Sequence, residues 1–354
     1  MLYIVTGANG HLGNNLVRKL KIEGHDVRSL ILPKDNPKLL EQLNTEVYYG
    51  DVTTLNINDQ IFDLSNTKYT YKDVVIIHAA GIISISNKTN HLMEKVNIEG
   101  TKNILEISKK LKVRQFLYVS SVHALKELPK NKTITETNHF DEDLVVGAYA
   151  KTKASATKLV VDALIEGFPI TIVHPSGIIG PHDYGKGHLT KMIEKYLNKE
   201  LSTRVTGKYD FVDVRDVSDG IYELTKNNYQ GTYILSGHQV SLKKMFSTLK
   251  EISGRKRKTA VLASWFVKIF TPIIELHYRI KKTPPLFTGY SLYTLQSNSN
   301  FSHEKATNKF GYKPRPFKDT LVDTALWLID EKRINKVSII KFIKSHFKKT
   351  KTNK

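Results

Sequence analysis

The sequence predicts an α/β fold in which a doubly wound parallel sheet is followed by a smaller, mostly helical C-terminal domain. Two observations carry this prediction. Short β-branched runs alternate with helical patterns through the first half of the chain, and a glycine-rich turn separates the first strand from the first helix. A chain of 354 residues is long enough for one large α/β domain with a smaller one appended.

The alternation places each element in order along the chain. Strands are predicted at residues 2–6, 26–32, 74–78 and 115–120, with a further strand ending before Gly50, and helices are predicted at 12–23 and 97–111. Strand–helix–strand units of this length give parallel strands that are covered on both faces. Later strands are predicted at 170–174, 210–214 and 231–235, and we expect the last two to return to the main sheet.

Residues after about 179 depart from this alternation. Glycines and a proline interrupt the chain between 180 and 187, ahead of a helix predicted near 189–197. We therefore predict an N-terminal domain at 1–180 with returns near 207–237. A second domain is expected from 181–206 and 238–330, and a basic tail from 331–354.

The net charge of +20 arises from 54 basic and 34 acidic residues. Because lysine is scattered over the chain, a generally solvated basic surface is the favoured interpretation, and the sequence contains no nucleic-acid-binding module. The chain has no cysteine, which excludes disulfides and thiolate catalysis and fits a reducing compartment, so we expect a cytoplasmic protein. The most apolar stretch, residues 261–280, contains charged residues and a proline, and no membrane span is expected.

Two segments could nevertheless contact a membrane surface. In the tail, apolar residues from Ile334 to Phe347 recur beside lysines, a pattern typical of a basic amphipathic helix on anionic lipid. Residues 263–274 are aromatic and apolar and could form a second contact. The alternatives are a solvated end for the tail and a core helix for residues 263–274.

The loop between the first strand and first helix predicts a phosphate site. Gly7, Gly10 and Gly13 stand at a regular spacing between a strand and an amphipathic helix. Glycine permits a turn with positive φ and lets the backbone approach a pyrophosphate, and the N–H groups at a helix N-terminus favour anions. A purely structural turn is the alternative. We expect residues 1–180 to form a Rossmann-type, dinucleotide-binding domain.

A tyrosine and a lysine are spaced for acid–base chemistry. Tyr149 and Lys153 lie four residues apart, on one face of a predicted helix. A neighbouring ammonium favours phenolate, which would lower the pKa of the tyrosine and let it act as a general acid or base. The pair alone occurs often by chance in a lysine-rich chain. Its significance comes from the glycine loop and from Ser121, which follows the strand at 115–120 and could hydrogen-bond the same substrate oxygen.

Two further motifs accompany the glycine loop, His-Ala-Ala-Gly at 78–81 and Val-Asn-Ile-Glu-Gly-Thr at 96–101. Together these segments resemble the extended short-chain dehydrogenase/reductase superfamily, over about residues 1–325. Within that superfamily, the sequences of these segments are most similar to those of the dihydroflavonol 4-reductase and 3β-hydroxysteroid dehydrogenase types, with nucleotide-sugar epimerases next. The resemblance favours Ser121 over Ser120 as catalytic, beside Tyr149 and Lys153.

The same resemblance implies a set of cofactor-binding residues, of which Asn97 could also hold a proton-relay water. The set comprises Gly7, Asn9, Gly10, His11, Leu12, Gly13, Asp51, Val52, Ala79, Ala80, Gly81, Asn97, Val119, Tyr149, Lys153, Pro175 and Ile178.

The end of the second strand bears on the choice of cofactor. No acidic residue stands there to bind the 2′-hydroxyl of NAD, whereas Arg28 and Lys34 could bind a 2′-phosphate. We therefore expect NADP(H) to be preferred. Leu32 occupies a position where the similar reductases carry an arginine, so NAD(H) stays open, and Arg28 could be an ordinary surface charge.

The two residues that follow Ser121 bear on the reaction class. Val122 and His123 stand where sugar-nucleotide dehydratases carry an Asp-Glu pair, so a ketone or aldehyde reductase fits better. A nucleotide-sugar epimerase and a non-catalytic dinucleotide-binding regulator are the alternatives. We expect a small-molecule substrate that contacts Ile83, Ser84, Ser121 and Tyr184, and the chain could form a homodimer. His123 and His174 are interpreted as structural, and no spacing predicts a metal site.

Overall fold

The computed structural model describes residues 1–54, 59–84, 90–185, 187–201, 203–254, 259–262 and 288–334. The tail from 335 onwards and the apolar segment at 263–274 lie outside the described residues. The membrane contacts predicted for the tail and for 263–274 therefore stay predictions. Within the described part of the chain, no helix is long and apolar enough to cross a membrane.

The main sheet has seven parallel strands in the order β10-β6-β5-β4-β1-β2-β3. These strands are β1 (Leu2–Thr6), β2 (Asp26–Ile31), β3 (Glu46–Tyr49), β4 (Val74–His78), β5 (Gln115–Val119), β6 (Ile170–Pro175) and β10 (Gly231–Leu235). The strand order reverses at β1, which places a crevice at the carboxyl ends of β1 and β4. The predicted doubly wound parallel sheet is confirmed.

Helices cover both faces of this sheet because its strands are apolar on both sides. Leu2 and Ile4 of β1 face one cluster, which includes residues of α4 (Gly100–Leu111) and α5 (Ala148–Ile165). Tyr3 and Val5 face the opposite cluster, which includes residues of α1 (His11–Ile22) and α7 (Val214–Lys226). Short helices α2 (Lys38–Glu41) and α3 (His91–Glu94) complete this half.

Outside the main sheet, the chain forms two small sheets and a third apolar cluster. The strands of the small sheets are β7 (Gly177–Ile179), β8 (Thr203–Val205), β9 (Lys208–Asp213), β11 (His238–Ser241) and β12 (Ala260–Leu262). The strands pair as β11-β9-β7 and as β12-β8. The third cluster includes side chains of α6 (His188–Leu197), α8 (Leu242–Ser253), α9 (Gly289–Thr294) and α11 (Phe317–Asp330). Helix α10 (Glu304–Phe310) instead packs against β10 and α7 at the main sheet.

One expectation about the sheet is wrong. The strand at Phe211, which is β9, does not return to the main sheet, because it pairs with β11 in antiparallel and with β7 in parallel orientation. The chain leaves the main sheet after Pro175, and β7 then offers β9 a separate edge. The strand at Tyr233 does return, as β10 beside β6.

Candidate active site and dinucleotide site

The glycine loop lies at the carboxyl end of β1, against the end of β4. Gly7 has φ +68°, and a Cβ there would lie 2.7 Å from the backbone N of Ala80. A Cβ on Gly13 would lie 2.1 Å from the carbonyl oxygen of Gly7. Neither position tolerates a side chain, so the loop brings backbone, and not side chains, to the crevice.

The N-terminus of α1 is suited to an anion. Gly10 is its N-cap and provides no side-chain hydrogen bond, and the first turn contains no acidic residue. The first N–H groups of a helix have no partner within it, and the helix dipole adds positive potential there. Leu12 is buried beneath the turn, whereas the His11 ring hydrogen-bonds the carbonyl of Pro181 at 3.0 Å and so ties the loop to the second domain. A dinucleotide pyrophosphate fits this end of the helix.

The end of β4 is held by a chain of buried hydroxyls. His78 contacts the Thr6 hydroxyl at 2.8 Å and the Thr101 hydroxyl at 3.1 Å. The Ala79 N–H donates to the carbonyl of Thr6 and the Ala80 N–H to its hydroxyl, each at 3.3 Å. This network holds the small residues 79–81 beside the glycine loop, where they leave room for a ribose.

The opposite end of the crevice would receive the adenine half. Asp51 follows β3 and caps the N–H of Thr53 at 2.9 Å, and Val52 is buried against Gly100. The Asn9 amide donates to the carbonyl of Asn36 at 3.0 Å, joining the glycine loop to the segment after β2.

Arg28 cannot act as the expected phosphate ligand. Its side chain is buried in the middle of β2, where it donates to the carbonyls of Ile61 and Asp63 at 2.8 and 2.6 Å and pairs with Glu46 at 3.2 Å. The expectation for Arg28 is therefore corrected, because its donors serve the fold. Lys34 lies after the end of β2 with an exposed side chain.

The three predicted catalytic residues come together. Ser121 follows β5 as the cap of the turn Val122–Ala124, and its hydroxyl accepts from the N–H of His123 at 3.2 Å. The same hydroxyl faces Tyr149 at the start of α5, where it opposes the rise in the pKa of that phenol. Ser120 is instead bonded to the Thr157 hydroxyl at 2.6 Å. Ser121 is thus the serine that faces the tyrosine.

Lys153 lies one turn along α5 and is buried. Its amine donates to the carbonyl of Val119 at 2.8 Å and to the hydroxyl of Tyr118 at 3.3 Å. Tyr118 was not among the predicted site residues, since its place within a strand does not reveal which side chain it will meet. These contacts hold the amine near Gly81. A Cβ added to Gly81 would lie 3.6 Å from the Lys153 Nζ.

Burial controls the protonation of the tyrosine and the lysine. It raises the pKa of Tyr149 to about 12, although the hydrogen bond from Ser121 opposes this, and it lowers the pKa of Lys153 to about 7. The lowering of the tyrosine pKa that the Tyr–Lys spacing predicts is not produced by the protein's own groups. The phenol is consequently protonated at neutral pH and can donate.

Asn97 lies in a π-helical turn, Lys95–Glu99, that precedes α4. Its amide oxygen accepts from the N–H of Ile82 at 2.8 Å, and its NH₂ donates to the carbonyl of Ile82 and the hydroxyl of Thr152, both at 3.0 Å. Such turns are frequent at functional sites. Here the turn fixes the loop after β4 to α5, one residue before Lys153.

The remaining predicted residues are more dispersed. Pro175 ends β6, and Ile178 lies partly buried in β7. Ile83 is 69% exposed and Ser84 is half-buried. Tyr184 packs edge-on against Trp327 of α11 and receives a hydrogen bond from Arg18 at 3.4 Å. His174 contacts the carbonyl of Ser121 at 3.2 Å and stacks on Phe140.

The sequence missed two tyrosines next to Tyr149. The His123 ring contacts the Tyr209 hydroxyl through Nε2 at 2.9 Å and the Tyr290 hydroxyl through Nδ1 at 3.1 Å. The ring also meets Tyr149 edge-on, with centroids 5.9 Å apart. We call His123, Tyr209 and Tyr290 the phenol–imidazole cluster. Its tyrosines come from β9 and α9, far along the chain, and no local pattern marks them.

Two known proteins are similar to this chain over most of its length. The chain is 25% identical over 334 residues to sterol demethylase protein B of Methylococcus capsulatus, covering 92% of this chain and 98% of that protein. It is 25% identical over 332 residues to a 3 beta-hydroxysteroid dehydrogenase/Delta 5-->4-isomerase of Mycobacterium tuberculosis, covering 88% and 85%.

Solved structures share the fold. The crystal structure of gox2253 matches with a TM-score of 0.79 at 27% identity, covering 94% of this chain and 99% of that one. A UDP-glucose 4-epimerase of Thermotoga maritima matches with a TM-score of 0.71 at 21% identity, covering 94% and 99%, which shows the fold alone. The family model described as NAD dependent epimerase/dehydratase family matches residues 3–235, more than half of the chain. The chain therefore belongs to the NAD dependent epimerase/dehydratase family.

Proposed function

We propose that this enzyme is an NAD(P)-dependent oxidoreductase that reduces a ketone or aldehyde, or oxidises the corresponding alcohol. The observation that carries the proposal is the grouping of Ser121, Tyr149 and Lys153 at the same sheet edge as the glycine loop. The relatives named as a hydroxysteroid dehydrogenase and a sterol demethylase protein support an apolar substrate.

The chain's own residues supply the proton transfer. A bound nicotinamide dinucleotide would supply or accept the hydride. In reduction, Tyr149 donates its proton to the carbonyl oxygen, so that no free alkoxide forms. Ser121 donates a second hydrogen bond to that oxygen. Lys153 lies one turn along α5 from Tyr149, and when protonated its charge would favour the phenolate left after transfer.

The proposed cofactor is NADP(H), with NAD(H) as the alternative. The structural support for NADP(H) is narrower than the sequence suggested, because Arg28 is engaged in the fold and, of the two predicted phosphate ligands, only Lys34 stays exposed after β2. The name of the matching family refers to NAD. A direct comparison of the two cofactors therefore belongs in the first experiment.

The test is titration of the purified protein with NADPH and NADH, followed by a screen of ketones and UDP-glucose for loss of reduced-cofactor absorbance. We expect ketone-dependent oxidation of NADPH that falls by about 10²- to 10⁴-fold in Tyr149→Phe. Conversion of UDP-glucose in the presence of NAD⁺, detected by analysis of the sugar product because the cofactor undergoes no net change, would instead favour an epimerase. Tight cofactor binding without turnover of any compound would favour a non-catalytic regulator.

A further inference from the structure

The phenol–imidazole cluster contacts the catalytic tyrosine through the His123 ring and also lines a cavity beside it. The cavity is bounded by the cluster and by the apolar side chains Val122, Leu125, Ile134, Val145 and Phe301. Tyr290 is held close to the start of α5, because a Cβ on Gly147 would lie 2.2 Å from its ring. The cluster therefore lines the cavity and also packs against the start of the catalytic helix α5.

Counting protons shows that this cluster has a donor to spare. A neutral imidazole carries one N–H, and each phenol carries one O–H, so the cluster holds three protons for its two internal hydrogen bonds. An imidazolium would carry two N–H groups and leave two protons over. In either protonation state, at least one N–H or O–H of the cluster has no acceptor among the residues that the structure describes.

The phenols keep these protons at neutral pH. Burial raises the pKa of both Tyr209 and Tyr290, and neighbouring tyrosines raise it further. Burial lowers the pKa of His123 to about 4, so the imidazole is neutral and one O–H remains available. A buried donor without an acceptor costs free energy, and this favours a ligand that supplies one.

Other donors on the cavity wall are already engaged. The Tyr293 hydroxyl donates to Glu127, and the Asn298 NH₂ donates to the carbonyls of Leu128, Pro129 and Lys132. The hydroxyls of Thr294 and Ser297 donate to backbone carbonyls of α9. The Glu127 carboxylate also lines the cavity and would repel an anion there.

We propose that the phenol–imidazole cluster is a specificity site that donates one hydrogen bond to a second, uncharged oxygen of the substrate. This inference rests on the proposed function, because the reacting carbonyl is taken to lie at Tyr149. The substrate class is an apolar cyclic ketone with a neutral acceptor oxygen, such as an ester or ether, a few bonds from the carbonyl carbon.

The experiment compares two ketones by calorimetry on the full-length protein saturated with NADP⁺, in which neither ketone is reduced. One is a cyclohexanone with an ethyl ester side chain, and the other a cyclohexanone with an alkyl side chain of matched length. We expect the ratio of their affinities, ester over alkyl, to fall about tenfold from wild type to Tyr209→Phe/Tyr290→Phe. The matched control is Tyr293→Phe, which lines the same cavity and should keep the wild-type ratio.

An affinity ratio in the double variant within about twofold of wild type would overturn the proposal, as would a wild-type protein that binds dinucleotide but neither ketone. NADP⁺ affinity serves as the check on folding of each variant. Should the double variant not fold, the two single Tyr→Phe variants replace it, and an unchanged ratio in both refutes the idea. A wild-type protein that binds no dinucleotide contradicts the proposed function instead.

Discussion

At the scale of single residues, two adjacent serines should differ sharply in their effect on catalysis. Ser121 faces Tyr149, whereas the Ser120 hydroxyl is engaged with Thr157. We expect Ser121→Ala to lower kcat by about 10²- to 10³-fold, because a donor to the developing oxyanion is lost. Steady-state ketone reduction measures this. The control is Ser120→Ala, which should keep kcat within about threefold, and an equal loss in both variants would contradict the assignment.

Lys153 should make the stability of the protein depend on pH. Its pKa is lowered from 10.5 to about 7 by burial, so between these values the unfolded chain binds the proton that the folded chain does not. Raising the pH through this range therefore increases the free energy of unfolding, and lowering the pH toward 7 removes that increment.

Urea unfolding without cofactor, at pH 7 and about pH 9.5, tests this expectation against Lys153→Met. The difference in unfolding free energy, wild type minus variant, should grow with pH, since the other titrating groups are common to both proteins. Parallel pH profiles for the two proteins would show that Lys153 is not neutral in the folded state.

The contrast between Arg28 and Lys153 shows how far residue identities predict a site. The positions of Gly7, Ser121, Tyr149 and Lys153 were predictable from local pattern. Gly7 and Ser121 follow strands, and Tyr149 and Lys153 lie in the first two turns of one helix. The predicted role of Arg28 was wrong because its hydrogen-bond partners are the carbonyls of Ile61 and Asp63, which come from a turn with no apolar periodicity. Long-range contacts of this kind have no local signal.

At the scale of elements, the junction of β1 and α1 depends on the absence of a side chain. We expect Gly13→Ala to lower stability by about 1–3 kcal/mol and to weaken dinucleotide binding, because its Cβ would overlap the carbonyl of Gly7. Thermal unfolding and NADPH titration measure the two effects. At Gly185, a Cβ would lie 3.7 Å from its nearest neighbour, so Gly185→Ala is the control and should change neither property.

Element boundaries were predictable where burial is complete. Strands β1, β4 and β10 span the predicted residues because each is a short apolar run between polar or glycine residues. The predicted helix at 97–111 is split in the structure into the π-helical turn Lys95–Glu99 and α4. The partner of β9 was not predictable, since a strand's own residues do not identify the neighbouring edge.

At the scale of the whole molecule, the basic tail at 331–354 remains a prediction. Arg333 anchors its first residues, since its side chain pairs with Glu194 at 2.5 Å and its carbonyl accepts from Asn198 at 3.0 Å. Deletion of residues 335–354 keeps this anchor. We expect the shortened protein to sediment less with anionic vesicles than the full chain, because lysines near a membrane surface add about 1 kcal/mol each.

Equal sedimentation of the full and shortened proteins would remove the tail from any membrane role. Vesicles of neutral lipid are the control, and neither protein should bind them. Ketone reduction by the shortened protein should be unchanged, since Tyr149 and the glycine loop lie in the other half of the chain.

The position of β10 has a consequence for how the chain acquires its structure during synthesis. Until residues 231–235 leave the ribosome, β6 has no neighbour on one side and presents bare amide and carbonyl groups. A nascent chain that holds every catalytic residue would thus still be prone to association with other chains. Chaperone engagement should therefore persist until this last strand is added.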